Sequence, residues 1–405
     1  MTGLFPPLSN ETRKILDSLP GIIEKTFPLP ARYRSALPQN VAELSRLLTS
    51  GREERGASYL GKPALLSAYL RYFLPWNIYR LSRLFAALPL ELKPGDVIND
   101  LGAGPLTLAA SLWISRPEYR TVPLVFRCID RTAAVLEAGK HFFQSLSGGT
   151  TPWTIKTIKG ELKRSGALSV EIKGKPAALS AAVNVYNELF WSFSPFDTEK
   201  ITRFAEDQAR RLLSLTESTG CVLVVEPGIP RSGEFISLLR SYLIKNECIP
   251  LSPCTHQAPC PLPGGMSPGK NPGKERWCHF AFDTEDAPTE LHKLSRAAKI
   301  PKERAVLSFI LAGKKREPEQ SENSIRVISD SFPIAETRRR DIKPLSMNKR
   351  PEPERGRYCC SKKGLVLLSG SRENLETSPS GSLELLPLLN GVIDKKSGAL
   401  VAEKK

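Results

Sequence analysis

The sequence lacks any run approaching the roughly 20 consecutive apolar residues that a membrane-spanning helix requires, so it predicts no helical membrane protein. Its start, from Met1 to Pro20, has neither the basic region nor the apolar run of a secretory signal. Glu11 and Asp17 are acids that a mitochondrial transit peptide avoids. The expectation is a cytoplasmic protein, a bacterial-type chain, and a monomer. Without a secretory context, the eight cysteines are not expected to form a disulfide framework. Internal repeats are absent, and 34 Pro and 28 Gly are too few for a fibrous protein. Acids are scarce relative to bases: 42 Asp and Glu against 58 Lys and Arg leave a net charge of +16. That excess runs through both halves of the chain and favours a polyanionic partner, since each cation near a phosphate releases a counterion.

What the chain does have is enough apolar content, 40% of 405 residues, to bury a core. Residues 1–90 read as a helical region, with helical spacing over Ala42–Leu48, Tyr59–Leu74 and Ile78–Leu88. Arg71, Arg80 and Arg83 interrupt those stretches and read either as a solvated helix face or as a phosphate-docking surface. From about residue 91 to 246, short β-rich runs alternate with helical stretches. Strands are expected at Val97–Leu101, Val122–Asp130, Trp153–Ile158, Leu179–Tyr186 and Cys221–Glu226. This alternation predicts an α/β fold with a parallel sheet covered on both faces. Residues 247–312 are a Cys-, Pro- and Gly-rich segment followed by a returning strand at 304–312. Residues 313–356 read as a mobile charged insertion carrying Arg338–Arg340. Residues 357–405 read as a strand, a turn at Lys363-Gly364, a second strand and a weakly patterned tail.

The first strand closes in Asp100-Leu101-Gly102-Ala103-Gly104-Pro105. An acid ending a strand, then G-x-G and a helix, is how Rossmann-like domains bring backbone close to a nucleoside. Leu106 stands where a third glycine is usual, and Pro105 removes an N–H donor. Asp130 closes the second strand, where a carboxylate accepts both ribose hydroxyls. An acid there, following D-x-G-x-G, is characteristic of class I S-adenosylmethionine methyltransferases. Asn184, Asn187 and Glu188 follow the fourth strand on the same rim, as lining residues or as the polar start of a helix. No convincing catalytic base appears, and the Asn-Pro-Pro-Tyr motif of amino-group methylation is absent.

Cys254, Cys260 and Cys278 fall in one aperiodic stretch, and Cys359-Cys360 lies further on. Four thiolates hold zinc or an iron–sulfur cluster. Structural zinc usually takes close pairs, and the wide spacing here favours the larger group. His256 and His279 adjoin these cysteines and suit hydrogen bonds behind the ligands, or the replacement of one cysteine ligand. Cys128 and Cys221 sit in apolar strands and read as core thiols; Cys248 fits either role.

D-L-G-A-G-P, V-V-E-P-G, C-x5-C, W-C-H-F and a late C-x3-G together resemble the methyltransferase-like proteins of the mitochondrial small ribosomal subunit and their bacterial relatives. The resemblance covers roughly residues 60–312 and 357–369. It implies a class I methyltransferase (Rossmann-like) fold extended by a Cys-rich metal-cluster region, with S-adenosylmethionine held by Asp100, Gly102, Gly104, Asp130, Asn184 and Asn187. It implies a 4Fe–4S cluster, or zinc, on Cys254, Cys260, Cys278 and Cys360. Cys360-Ser361-Lys362-Lys363-Gly364 is the fit to C-x3-G that selects Cys360 over Cys359. The implied partner is the small ribosomal subunit and its rRNA. Lys270, Lys274, Arg276, Lys314, Lys315 and Arg316 are the expected phosphate contacts. The alternatives are an active RNA methyltransferase, and an RNA-binding module whose metal only folds a loop.

Overall fold

The computed structural model describes residues 3–54, 59–194, 196–265, 276–314, 324–334, 354–385 and 389–404. Its first part is helical: α1 (Asn10–Thr26), α2 (Ala31–Arg34), α3 (Leu37–Leu48), α4 (Pro63–Ala68), a π-helical turn over Tyr69–Phe73, and α5 (Leu74–Phe85). The alternating part follows as β1 (Asp96–Leu101), α6 (Thr107–Ser115), β2 (Leu124–Asp130), α7 (Ala133–Leu146), β3 (Thr154–Lys159), β4 (Ala177–Val183), α8 (Tyr186–Phe190), α9 (Thr198–Leu215), β5 (Thr216–Pro227) and α10 (Pro230–Lys245). Then come β6 (Ile249–Ser252), β7 (Phe280–Asp283), α11 (Thr289–Ala297) and β8 (Arg304–Gly313).

These strands form one sheet in the order β3-β2-β1-β4-β5-β8-β6, with β7 also on β8. β1 to β5 are parallel, and β8 inserts antiparallel beside β5. That order is the class I S-adenosylmethionine-dependent methyltransferase fold. Strand residues alternate between the two faces. Leu223 and Val225 point to one buried layer, Val222 and Val224 to the other. Trp113, Phe126, Phe143 and Trp153 stack in the first layer, with Phe126 and Trp153 centroids 4.8 Å apart. Tyr186, Phe190, Phe204 and Phe235 fill the second, at 5.1–6.0 Å. α6 is buried all round, as expected for a helix lying between α5 and the sheet.

The remaining strands build a second sheet that the sequence pattern did not predict as such. It contains β9 (Ser324–Val327), β10 (Phe332–Pro333), β11 (Arg355–Ser361), β12 (Gly364–Gly370), β13 (Leu383–Leu385), β14 (Leu389–Ile393) and β15 (Leu400–Glu403), with α12 (Arg372–Glu376) beside it. Its order is β13-β9-β11-β12-β15-β14, with β10 on β11. One face, with Cys360, Leu365 and Leu367, joins the main core; the other packs Ile325, Val327, Cys359, Val366 and Leu368 together. β9 and β10 lie within the stretch expected to be a charged insertion. Ser-Ile-Arg-Val is too short to register as a strand by pattern, and it orders by pairing with β11 and β13. Arg338–Arg340 lie outside the described residues.

The arginines of the front helices correct a second expectation. None of the three presents a solvated or phosphate-docking face. Arg83 is buried and pairs with Asp286 at 2.7 Å. Arg71 bonds Glu24 at 3.0 Å and the Phe27 carbonyl. Arg80 reaches Asn184 Oδ1 at 2.8 Å and the Val306 carbonyl at 3.2 Å. Guanidinium groups carry five donors, so they can stitch packed elements together through carbonyls where a lysine would not.

Candidate functional site

A cavity opens at the carboxyl ends of β1, β2 and β4. It is lined by Asp100, Gly102, Gly104, Asp130 and Asn184, and roofed by Tyr59, Tyr69 and Asn77 from the helical region. Its empty space, open mouth included, is about 1060 Å³. Gly102 has φ +74°, and a Cβ there would come within 2.4 Å of Val185. Gly104 has φ +52° and nothing within 4 Å of where a Cβ would point, so its backbone faces open space available to a ligand.

Asp130 is held by backbone. Its Oδ2 accepts from Gly104 N–H at 3.0 Å and its Oδ1 from Thr132 N–H at 2.9 Å. Burial raises its pKa, against the pull of those bonds. Asp100 is only 1% exposed, and both of its carboxyl oxygens are buried without a partner. Burial, with the Asp130 charge adding to it, pushes its pKa up to about 8. A buried carboxyl without donors, as in Asp100, costs free energy, and two buried carboxyls on one wall suit a cationic or donor-rich ligand.

Leu106 is in the left-handed region at φ +60° and fully buried. The room it needs comes from α7. A Cβ on Gly139 would lie 2.5 Å from the Pro105 carbonyl carbon and 2.7 Å from Leu106 Cγ. The glycine missing from the turn is compensated by one in the facing helix, a relation that no local motif shows. Asn184 also has positive φ, +56°, and ends β4 before the expected Tyr186. Such clustered strain at a pocket is typical of sites that must hold a ligand. The π-helical turn that places Tyr69 in the roof is another such irregularity.

Asn187 departs from its expectation as a lining residue. It is buried away from the cavity, and its Nδ2 donates to Glu226 at 2.8 Å. Glu226 also accepts from the backbone N–H groups of Tyr186 and Asn187, at 2.8 and 3.1 Å. Burial pushes Glu226 up to about 7 while these donors pull it back. Glu226 thus anchors the first turn of α8, which carries Glu188 to the cavity rim. Tyr59, Tyr69 and Asn77 are lining residues that the sequence pattern missed, because their helices precede the sheet and carry no nucleotide motif.

Cys254, Cys260, Cys278 and Cys360 lie near enough for their charges to act on one another. Burial pushes the Cys278 thiol well up, and the nearby sulfurs of Cys260, Cys254 and Cys360 add to it. Cys254 and Cys360 are raised in the same way. Cys359, one residue earlier on β11, packs into the opposite layer of the second sheet, and burial pushes its thiol up to about 12. Arg240 donates from Nε to Cys254 Sγ at 3.2 Å and from Nη2 to the carbonyls of His256 and Ala258 at 2.6 and 2.9 Å. Arg326, from the second sheet, donates to the carbonyls of Pro253 at 3.0 Å and Gly381 at 2.8 Å. His256 Nε2 lies 3.2 Å from Cys360 Sγ. His279 stacks on Trp277 at 4.7 Å, and Trp277 donates to the Gly228 carbonyl at 3.0 Å. Among the described residues, no group of three His, Cys, Asp or Glu side chains is drawn close enough to hold a single metal ion.

Lys270, Lys274, Lys315 and Arg316 lie outside the described residues. Lys314 sits beside Cys248 at the far end of β8, and Arg276 reaches the second sheet. No helix among the described residues is long and apolar enough to cross a membrane.

A sheet in this strand order, parallel but for β8, with an acid and two glycines at its first crossover, defines a methyltransferase-type fold. The family described as mitochondrial small ribosomal subunit Rsm22 matches residues 200–338, which bears out the resemblance drawn from the sequence. No curated protein matches the chain. A class I S-adenosylmethionine-dependent methyltransferase from Listeria monocytogenes is 12% identical, over 77% of this chain and 90% of that one, with a TM-score of 0.34. YjhP from E. coli is 9% identical, over 59% and 92%, at 0.32. The plantazolicin methyltransferase BpumL, solved with SAH, is 12% identical over 75% and 98%, at 0.31. The fold class rests on the strand order and not on these likenesses.

Proposed function

We propose that the chain is a factor of the small ribosomal subunit that binds S-adenosylmethionine in the Asp100–Asp130 cavity and carries a 4Fe–4S cluster on Cys254, Cys260, Cys278 and Cys360. The observation that carries the first part is the orphaned Asp100 carboxyl facing a glycine-lined cavity. S-adenosylmethionine supplies a sulfonium cation, an ammonium group and ribose hydroxyls. Asp130 has lone pairs left to accept the hydroxyls after its two backbone bonds, and Asp100 is placed to meet positive charge. When bound, the cofactor supplies a transferable methyl group. Glu226 and Arg80 do not line the cavity; they hold α8 and Asn184, which border it.

For the thiol site, the fit lies in the donor set and its surroundings. Four thiols that raise one another's pKa are a donor set that zinc or an iron–sulfur cluster can use, and their wide spacing in the sequence favours the cluster. Two buried guanidiniums beside them offset the negative charge that four thiolates bring. The small-subunit partner follows from the matched family and from the positive excess.

Anaerobic purification should yield brown protein with about four irons and four sulfides per chain. Colourless protein holding one zinc overturns the cluster. Calorimetry should detect S-adenosylmethionine binding that Asp130→Ala removes; no binding by the wild type overturns the pocket. Co-sedimentation with small subunits should be strong at low salt and weaker at high salt, and absence at both overturns the partner.

A further inference from the structure

The second sheet brings two lysine pairs to one end. Lys362 and Lys363 form the two-residue loop between β11 and β12, where Ser361 pairs with Gly364. Lys395 and Lys396 lie in the turn between β14 and β15, closed by Asp394 N–H to the Ala399 carbonyl at 2.8 Å. β12 and β15 run parallel, with Val366 opposite Leu400. Counting back two residues sets Gly364 beside Gly398, so the two loops leave the same sheet end on adjacent strands, about 4.8 Å apart. All four lysines are exposed. Arg276 joins them from the cysteine segment: its guanidinium donates to the carbonyls of Lys396 and Ser397 and lies 5.5 Å from the Tyr358 ring centre. The one acid in these loops, Asp394, is buried, and its carboxylate accepts from Ser397 N–H at 2.9 Å. It shapes its turn.

We propose that this end of the second sheet, built on Lys362, Lys363, Lys395, Lys396 and Arg276, is a contact surface for the phosphate backbone of RNA. The inference rests on the small-subunit reading above and names the surface that would serve it. Two stiff hairpin ends hold four ammonium groups over a short span without ordering long loops. Such an array positions a backbone and reads no sequence, because lysine meets phosphate as a point charge. Cys360 lies on β11 two residues before Lys362, so the proposed contact begins where the strand that bears this thiol ends.

The test uses the full chain and small-subunit rRNA, with affinity measured across a salt series. Replacing Lys362, Lys363, Lys395 and Lys396 together by alanine should weaken binding and flatten the slope of log K against log salt by about 3, at roughly 0.7–0.9 for each phosphate no longer neutralised. Lys395→Glu with Lys396→Glu should weaken binding more than the matching alanines. Lys14→Ala with Lys25→Ala, on α1, should change the slope little. Wild-type protein that binds no small-subunit RNA at any salt overturns the small-subunit reading and this surface with it. Wild-type binding that the quadruple variant retains, with the same slope, overturns the surface alone. Binding to phosphatidylserine vesicles that the quadruple variant loses, with RNA binding unchanged, also overturns it, in favour of a membrane contact.

Discussion

Asp100→Asn should make the empty protein more stable at neutral pH while weakening its ligand. Asp100 titrates near 8 in the fold, against about 3.9 in an unfolded chain. The folded state therefore holds this proton more tightly. The contribution to stability falls as pH rises between those two values and is flat outside them. From about 3.9 to pH 7 is some 3 pH units, and 1.36 kcal/mol per unit gives about 4 kcal/mol of destabilisation at neutral pH. Asparagine keeps the shape and removes the titration, but leaves a buried amide without partners at a cost of about 1–3 kcal/mol. The net gain is about 1–3 kcal/mol at pH 7–8, and near pH 4 it becomes a loss of the same order. An unfolding entropy of about 2.1 cal/mol/K per residue makes each kcal/mol worth about 1 °C in a chain this long. Thermal melts of both proteins from pH 4 to 9 should diverge as pH rises, with the variant ahead above about pH 6. Melts whose difference does not change with pH would refute the buried, unpaired Asp100. Calorimetry at pH 8 completes the test, since the more stable variant should bind S-adenosylmethionine more weakly, as expected when a destabilising group serves a ligand.

The same carboxyl predicts a pH-dependent affinity. Binding a cation there requires the ionised form, so wild-type affinity should rise with pH up to about 8 and then level, and calorimetry at pH 7 in two buffers should register proton release. Glu226→Ala strands three buried donors and should cost about 2–5 kcal/mol, read as a lower Tm, whereas Glu226→Gln should recover much of it. Gly139→Ala pushes a methyl against Pro105 and Leu106 and should cost about 1–3 kcal/mol, with the S-adenosylmethionine affinity falling as the turn shifts. Cys360→Ser should lower bound iron in anaerobically purified protein, whereas Cys359→Ser, whose sulfur faces the other layer, should leave it unchanged.

The first sheet was legible because each of its features has a local signal. β1, β2 and β5 each carry a short run of apolar, largely β-branched residues, and the Gly102–Gly104 turn sits between a strand and a helix. Asp130 was legible for the same reason, as an acid at a strand end. The roof was not, because Tyr59, Tyr69 and Asn77 act across the fold and their spacing is that of ordinary amphipathic helices. Asn187 misled because polar residues at a strand end suit both a cavity and a helix start; the buried Glu226 decides between them, and it lies on another strand. The second sheet stayed hidden since β9, β13 and β15 are three or four residues each. Strands that short take their order from neighbours distant in sequence.

Distance in sequence also explains the shape of the thiol site. Cys254 and Cys260 come from the loop after β6, Cys278 from the run into β7, and Cys360 from β11 in the second sheet. Arg240 stands on α10 and Arg326 on β9, so the elements around the first sheet and the second sheet itself each contribute both a sulfur and a compensating cation. A site assembled in this way forms only after both sheets have formed and met. Four clustered thiolates would repel one another, while four neutral thiols leave two buried guanidiniums facing them; either state is less favourable than one with a cationic centre between the sulfurs. Filling the site with the proposed cluster would therefore favour the docked arrangement of the two sheets, in the way that a ligand binding only the folded state stabilises it. Removing the proposed cluster from protein purified with it should then loosen the second sheet before the first, seen as faster amide exchange in β9 and β11 than in β1 and β4.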